Sequence, residues 1–105
     1  MFEIEIRAEA SLDIADIYAF SIERFGRKVA QDYVDGLDVA LLRLVQYPES
    51  GPVFEGVKPR LRELIYRSHR VLYDFDGRTV AVIRILHSAM NVPGRLRNQQ
   101  RSIEP

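Results

Sequence analysis

The 105-residue chain contains no cysteine, no tryptophan and only two histidines, His69 and His87. The absent thiols exclude disulfides, thiolate nucleophiles and cysteine-ligated zinc, and they fit a reducing cytoplasm. Two imidazoles leave little for a metal centre. No glycine-rich phosphate loop or GxSxG nucleophile elbow occurs either. No apolar run approaches the roughly 18–20 residues of a membrane span. The N-terminus, MFEIEIRAEA, is not built like a signal peptide, having no basic segment ahead of an apolar one. Net charge is absent as well, because 15 basic side chains balance 15 acidic ones. A dedicated nucleic-acid binder usually has a pI above about 9, so direct DNA binding is disfavoured. These absences imply a soluble cytoplasmic domain without metal or cofactor and without a membrane partner.

The neutral total hides an asymmetry. Residues 1–38 carry nine acidic and four basic side chains, and residues 39–105 carry six acidic and eleven basic. Such a split suits a charged partner, and it equally suits the solvated faces of an amphipathic helix pair.

The chain reads as one α+β domain over residues 1–96 with a polar tail at 97–105, and hydrophobic periodicity orders its elements. Phe2, Ile4 and Ile6 alternate with Glu3, Glu5 and Arg7, the pattern of a half-buried strand. Ser11 then offers an N-cap. Leu12, Ala15, Tyr18 or Ala19, Ile22 and Phe25 form an apolar helical stripe that stops at Gly26. Asp13 and Asp16 lie in the first turns, where the helix dipole favours carboxylates. A second helix starts near Arg27, with Val29, Tyr33, Leu37, Ala40, Leu41, Leu44 and Val45 on its inner side. Gly36, inside that helix, is expected to mark close approach of the first helix in an antiparallel hairpin. Tyr47-Pro48 ends the helix, since the residue before proline is pushed out of the α region. A proline- and glycine-rich loop over 48–59, with a short extended piece at Val53-Phe54, leads to three strands near 61–66, 69–75 and 78–87. The last of these is apolar on both faces and should be internal to the sheet. The order is β-α-α-β-β-β.

Asp76-Gly77 stands between two β-branched and aromatic runs and reads as a two-residue hairpin turn. That register pairs Tyr73 with Val80, Val71 with Val82 and His69 with Arg84 on one face. It places Leu72 with Ala81, Arg70 with Ile83, and Tyr66 with His87 on the other. The two histidines would then point to opposite faces, and only a bulge that shifts the pairing could bring them together.

The remaining chemistry belongs to a basic, aromatic surface. Lys58, Arg60, Arg62, Arg67 and Arg70 precede or occupy the first hairpin strands, Arg84 follows on the last, and Arg95, Arg97 and Arg101 lie on the tail. Metal-free RNA cleavage needs a proton acceptor for the 2′-OH, a cation for the phosphorane and an acid for the leaving oxygen. His69 and His87 with Arg62 and Arg84 could fill those roles. The same groups could instead anchor a protein partner. The bland reading makes the histidines half-buried structural residues and Arg84 a snorkelling side chain or the ion-pair partner of a helix carboxylate.

The ordered set of short motifs resembles the ParE/RelE superfamily of toxins. It comprises Ala10-Ser11-Leu12-Asp13-Ile14 with Ile17-Tyr18, then Phe25-Gly26, Ala30, Tyr33, Tyr47-Pro48 with Gly51, and Leu61-Arg62. His69-x-Val71-x-Tyr73 and Val82-Ile83-Arg84-Ile85-Leu86-His87 with Met90-Asn91 complete it. The long helix pair and the closing RILH-x-x-Met are closer to ParE-like than to RelE-like members. Ala89 and Asn91 depart from the arginine and aspartate common there. The resemblance implies a helical hairpin packed on a small antiparallel sheet. It also implies the toxin half of a type II toxin–antitoxin system, neutralised by a cognate antitoxin in a hetero-oligomer and inhibiting DNA gyrase without catalysis. The alternative it implies is a RelE-like, metal-independent mRNA endoribonuclease. Target or antitoxin contacts are expected from Arg60, Arg62, Arg67, Arg84, His87, Met90, Arg95 and Arg97.

Overall fold

The computed structural model describes residues 2–54 and 61–88. Arg60, Met90, Arg95, Arg97 and the polar tail lie outside the described residues. The elements are β1 (Glu3–Ile6), α1 (Ala8–Phe25), α2 (Arg27–Gln46), β2 (Val53–Phe54), β3 (Leu61–Tyr66), β4 (His69–Phe75) and β5 (Thr79–His87). They form one five-stranded sheet in the order β1-β5-β4-β3-β2. The expected α+β order is present, with the extended piece at Val53–Phe54 pairing as a short edge strand. All pairs are antiparallel except β1 with β5. β5 is therefore internal, as its two apolar faces require. No helix among the described residues is long and apolar enough to cross a membrane.

β1 runs directly into α1. Arg7 keeps an extended conformation, its N–H donates to Val82 O at 3.0 Å, and its carbonyl accepts the Ser11 N–H at 2.9 Å. The helix thus starts at Ala8, and Ser11 is not its N-cap. Ala8, Glu9 and Ala10 are strong helix formers, and the strand pairing of Arg7 fixes where they begin. Gly26, at φ 88°, is the single residue between the helices. Its N–H closes the last turn of α1 on Ile22 O, and its own carbonyl accepts Ala30 N–H to open α2. An L side chain would be strained at that φ.

The face that α1 buries differs from the expected stripe. Ala10, Ile17 and Ser21 are buried, with Ile14 half-buried between them, whereas Leu12 is 65% and Phe25 61% exposed. Two apolar stripes coexist on this helix, and the start at Ala8 together with the approach to β5 selects the Ala10–Ile17 side. On α2, Leu37, Leu41, Leu44 and Val45 are buried as expected, but Val29 is exposed. The main core joins these side chains to Val71, Tyr73, Val80, Val82 and Ile85, and a second cluster of Leu61, Leu72 and Leu86 gathers on the sheet.

Gly36 is approached by Tyr66 of β3 rather than by α1. A Cβ at residue 36 would collide with the Tyr66 hydroxyl, which donates to Tyr33 O at 2.8 Å. The fully buried Tyr73 closes the other end of α2. Its hydroxyl donates to Pro48 O at 2.8 Å and accepts from Gly51 N at 3.0 Å, pinning the chain where proline ended the helix.

The β4–β5 hairpin departs from the expected register in two steps. Asp76 accepts hydrogen bonds at Oδ1 from Arg78 N (2.9 Å) and Thr79 N (2.8 Å), and Gly77 takes φ 98°. Phe75 then pairs with Val80 and Tyr73 with Val82, so the turn centres on Gly77-Arg78, one residue later than expected. That displacement moves partners by two and leaves every side chain on its face. The second step is a bulge. The register shifts between Leu72 and Tyr73, with Leu72 opposite Arg84 and Ile83 as the extra residue. Beyond it each side chain of β5 changes face relative to β4, and His69 pairs with His87.

Candidate functional site

The bulge brings the two histidines together. Their rings meet edge to face with centroids 5.5 Å apart, so the expected placement on opposite faces is overturned. His69 also reaches α2, where Tyr33 Oη and His69 Nδ1 are 2.6 Å apart. Tyr33 in turn packs edge to face on Tyr66 at 5.1 Å, and Arg67 lies over both tyrosine rings at 5.7 and 5.6 Å. Arg67 takes φ 50° in the tight β3–β4 turn, an uncommon conformation for a side-chain-bearing residue. One end of the sheet, with Tyr33 of the facing α2, thus carries a continuous array of Arg67, Tyr66, Tyr33, His69 and His87.

An open cleft of about 210 Å³ lies beside the histidines, lined by Asp13, Asp16, Ile17, His69, Arg84, Ile85, Leu86 and His87. On its helix side Asp13 takes Arg84 Nε on Oδ2 at 2.7 Å and Arg84 Nη2 on Oδ1 at 2.9 Å. Asp13 Oδ2 also accepts the Ile85 N–H at 2.9 Å. β1 pairs β5 no further than Val82, and the carboxylate serves a β5 amide just past that point. Asp13 therefore works as a tertiary clamp, beyond the helix-dipole role read from its position. The same hydrogen bond holds the Arg84 guanidinium above its ordinary pKa, keeping it charged despite partial burial.

Burial shifts the neighbouring groups. Desolvation lowers the His69 pKa, the adjacent His87 lowers it further, and Asp13 pulls the other way. The Tyr33 hydroxyl is raised, chiefly by burial. The ordinary state of the pair at neutral pH is thus a neutral imidazole against a neutral phenol, a short contact that needs no charge.

The residues proposed for ribonuclease chemistry divide. His69, His87 and Arg84 share the cleft. Arg62 sits opposite Tyr73, four residues along β3 from the Tyr66–His69 pair. There Arg62 Nη1 donates to Gly51 O at 2.8 Å and Glu49 O at 3.2 Å, fastening the loop after α2. Among the residues expected to make contacts that the structure describes, Arg67 and His87 are exposed, while Arg62 and Arg84 are turned to internal partners. Sequence reasoning missed Tyr33 as the partner of His69 and Asp13 as the partner of Arg84. Ala10, Asp13 and Ile17, at steps of three and four, carried the signal for the second: a carboxylate set within the buried stripe.

Among the described residues no group of three or more His, Asp or Glu side chains is placed to hold a metal ion. The chain matches the family model for the ParE toxin of type II toxin–antitoxin systems, parDE, over residues 4–92. It is 33% identical over 95 residues to Toxin ParE1 of Caulobacter vibrioides, covering 90% of this chain and 96% of that one. It is 30% identical over 88 residues to Toxin ParE1 of Mycobacterium tuberculosis, covering 83% and 90%. A solved structure described as the chromosomal ParDE TA system from P. aeruginosa has the same fold, with TM-score 0.72 and 20% identity over 83% of this chain and 96% of that chain. The chain belongs to the ParE toxin family of type II toxin–antitoxin systems.

Proposed function

We propose that this toxin inhibits DNA gyrase by binding it in the cytoplasm, without catalysis, and that a cognate antitoxin neutralises it. The observation that carries the non-catalytic reading is the Asp13–Arg84 clamp. Stabilising a phosphorane needs a cation whose donors face the substrate, and two donors of Arg84 are spent on Asp13. Arg62, the other candidate, is remote from the histidines and bound to the loop carbonyls of Glu49 and Gly51. A neutral chain also gains little of the counterion-release affinity that favours RNA binding.

The antitoxin partner is supported by the P. aeruginosa structure of similar fold, which is described as a ParDE system. It is supported too by apolar side chains on the helical hairpin, among them Leu12, Phe20, Phe25, Val39 and Leu42, all exposed. Such surface is costly to leave in water. Arg67 and His87 are the described residues best placed for target or antitoxin contact. Arg60, Met90, Arg95 and Arg97 complete the proposed contact set.

The ribonuclease reading gains one observation, the meeting of His69 and His87 at the mouth of a cleft. A paired assay separates the two. Purified protein is added to a gyrase supercoiling reaction and, separately, to ribosome-bound mRNA. Loss of supercoiling with intact mRNA is expected. Codon-spaced cleavage that disappears in His87→Ala would overturn the gyrase assignment.

A further inference from the structure

We propose that His69 and His87 form a two-imidazole binding site for a divalent transition-metal ion of the Zn²⁺, Ni²⁺ or Cu²⁺ class. The geometry comes from the bulge. His69 and His87 are direct cross-strand partners at the end of the β4–β5 ladder, with ring centroids 5.5 Å apart. Two imidazoles on one tetrahedral ion, each nitrogen about 2.0–2.1 Å from the metal, place their ring centroids about 5 Å apart. The observed centroid separation of 5.5 Å is thus close to that of two imidazoles on one ion.

Tyr33 supplies the support that metal-binding histidines generally have. Its hydroxyl on His69 Nδ1 fixes the ring and leaves Nε2 as the nitrogen for the metal. On binding, Nδ1 carries the proton and donates it to the Tyr33 oxygen, so the second-shell hydrogen bond survives with its direction set. The cleft of about 210 Å³ next to the pair has room for water ligands. No third His, Asp or Glu among the described residues stands close enough to join, so water fills the remaining positions.

Charge and ligand type choose the occupant. Asp16 on α1 lines the same cleft as the histidines, which favours a cation over phosphate or another anion. Arg84 is matched by Asp13 and adds no net positive charge there. Imidazole nitrogen selects borderline transition metals over Ca²⁺ and Mg²⁺, which prefer oxygen. An ion held here ties β4 to the last residue of β5, so binding stabilises that end of the sheet.

The probe is Ni²⁺, titrated calorimetrically into the full chain after chelator treatment, near neutral pH. One ion per chain is expected, with a rise in the melting midpoint. His87→Asn, at an exposed position, should keep the fold by circular dichroism and abolish both effects. Tyr33→Phe should weaken binding by about ten-fold, the usual loss when a second-shell partner is removed. No saturable binding, or equal binding by wild type and His87→Asn, overturns the site. A Ca²⁺ response equal to that of Ni²⁺ overturns the ligand class.

Discussion

Asp13 and Arg84, 71 residues apart in sequence, meet in a two-point ion pair with nitrogen–oxygen distances of 2.7 and 2.9 Å, and the same carboxylate takes the Ile85 amide at 2.9 Å. The pair joins the start of α1 to β5 beyond the reach of β1. Its side chains retain only 12% and 19% of their exposure, so the charges are mostly withdrawn from water. Breaking a fully buried pair costs about 3–5 kcal/mol, because the survivor is left uncompensated.

With the residual exposure discounted, Asp13→Asn should therefore cost about 2–3 kcal/mol. Arg84→Met should cost less than Asp13→Asn, and the two together less than their sum. Urea denaturation of the single and double variants measures the coupling. Strict additivity would show that the two side chains do not act as a unit.

Gly36→Ala tests the seam between α2 and β3. Helix propensity alone favours alanine by about 1 kcal/mol. The added methyl meets the Tyr66 hydroxyl, however, and overpacking of this kind costs about 1–3 kcal/mol. Net destabilisation is expected, with part of it recovered in Gly36→Ala/Tyr66→Phe, where the colliding oxygen is gone. A melting midpoint above wild type for the single variant would refute the close approach.

Tyr73→Phe removes one oxygen from a fully buried position. Gly51 N–H and Pro48 C=O both lose their partner, and an unsatisfied buried group costs about 1–3 kcal/mol. The loss should appear as a lower denaturation midpoint with unchanged slope, along with faster amide exchange at Gly51. Unaltered exchange there would mean that the hydroxyl does not hold the loop.

The His69 imidazole gives stability a pH dependence whose sign follows from its environment. Its folded pKa lies below the ordinary 6.5, through burial first and His87 second. The unfolded chain therefore binds the proton more readily, and stability rises with pH. The contribution is complete above about 6.5 and declines as pH falls from there toward the lower folded value. His87, Asp13, Asp16, Arg84 and Tyr33 are the titratable groups around it. His69→Asn should flatten the dependence of the urea midpoint over this interval. An identical slope in wild type and variant would assign it to other groups.

The helical hairpin and the order of elements along the chain were legible because they depend on local periodicity. Leu37, Leu41, Leu44 and Val45 repeat at helical steps, Tyr47-Pro48 stops the helix, and the strands at 61–66 and 69–75 are short apolar and aromatic runs separated by the turn at Arg67-Ser68. α1 was harder to read. It carries two apolar stripes of similar strength, and burial of the Ala10–Ile17 side follows from where β1 delivers the chain. Leu12 and Phe25 belong to the stripe left exposed.

Composition and periodicity by themselves determined an α+β fold with one internal apolar strand and no thiol chemistry. They also showed that Arg84, set among valines and isoleucines, would need a carboxylate if buried. Tertiary structure alone decided which carboxylate, which tyrosine and which histidine face. The turn at Gly77-Arg78 moved partners by two residues and changed no face, whereas the bulge at Ile83 moved them by one and reversed every side chain beyond it. Side chains in a strand alternate with a period of two, so a single extra residue separates two isolated histidines from a cross-strand pair. The stability of that extra residue depends on contacts far away in sequence, the Asp13 clamp on Arg84 and Ile85 among them. No local pattern in the strand could announce it.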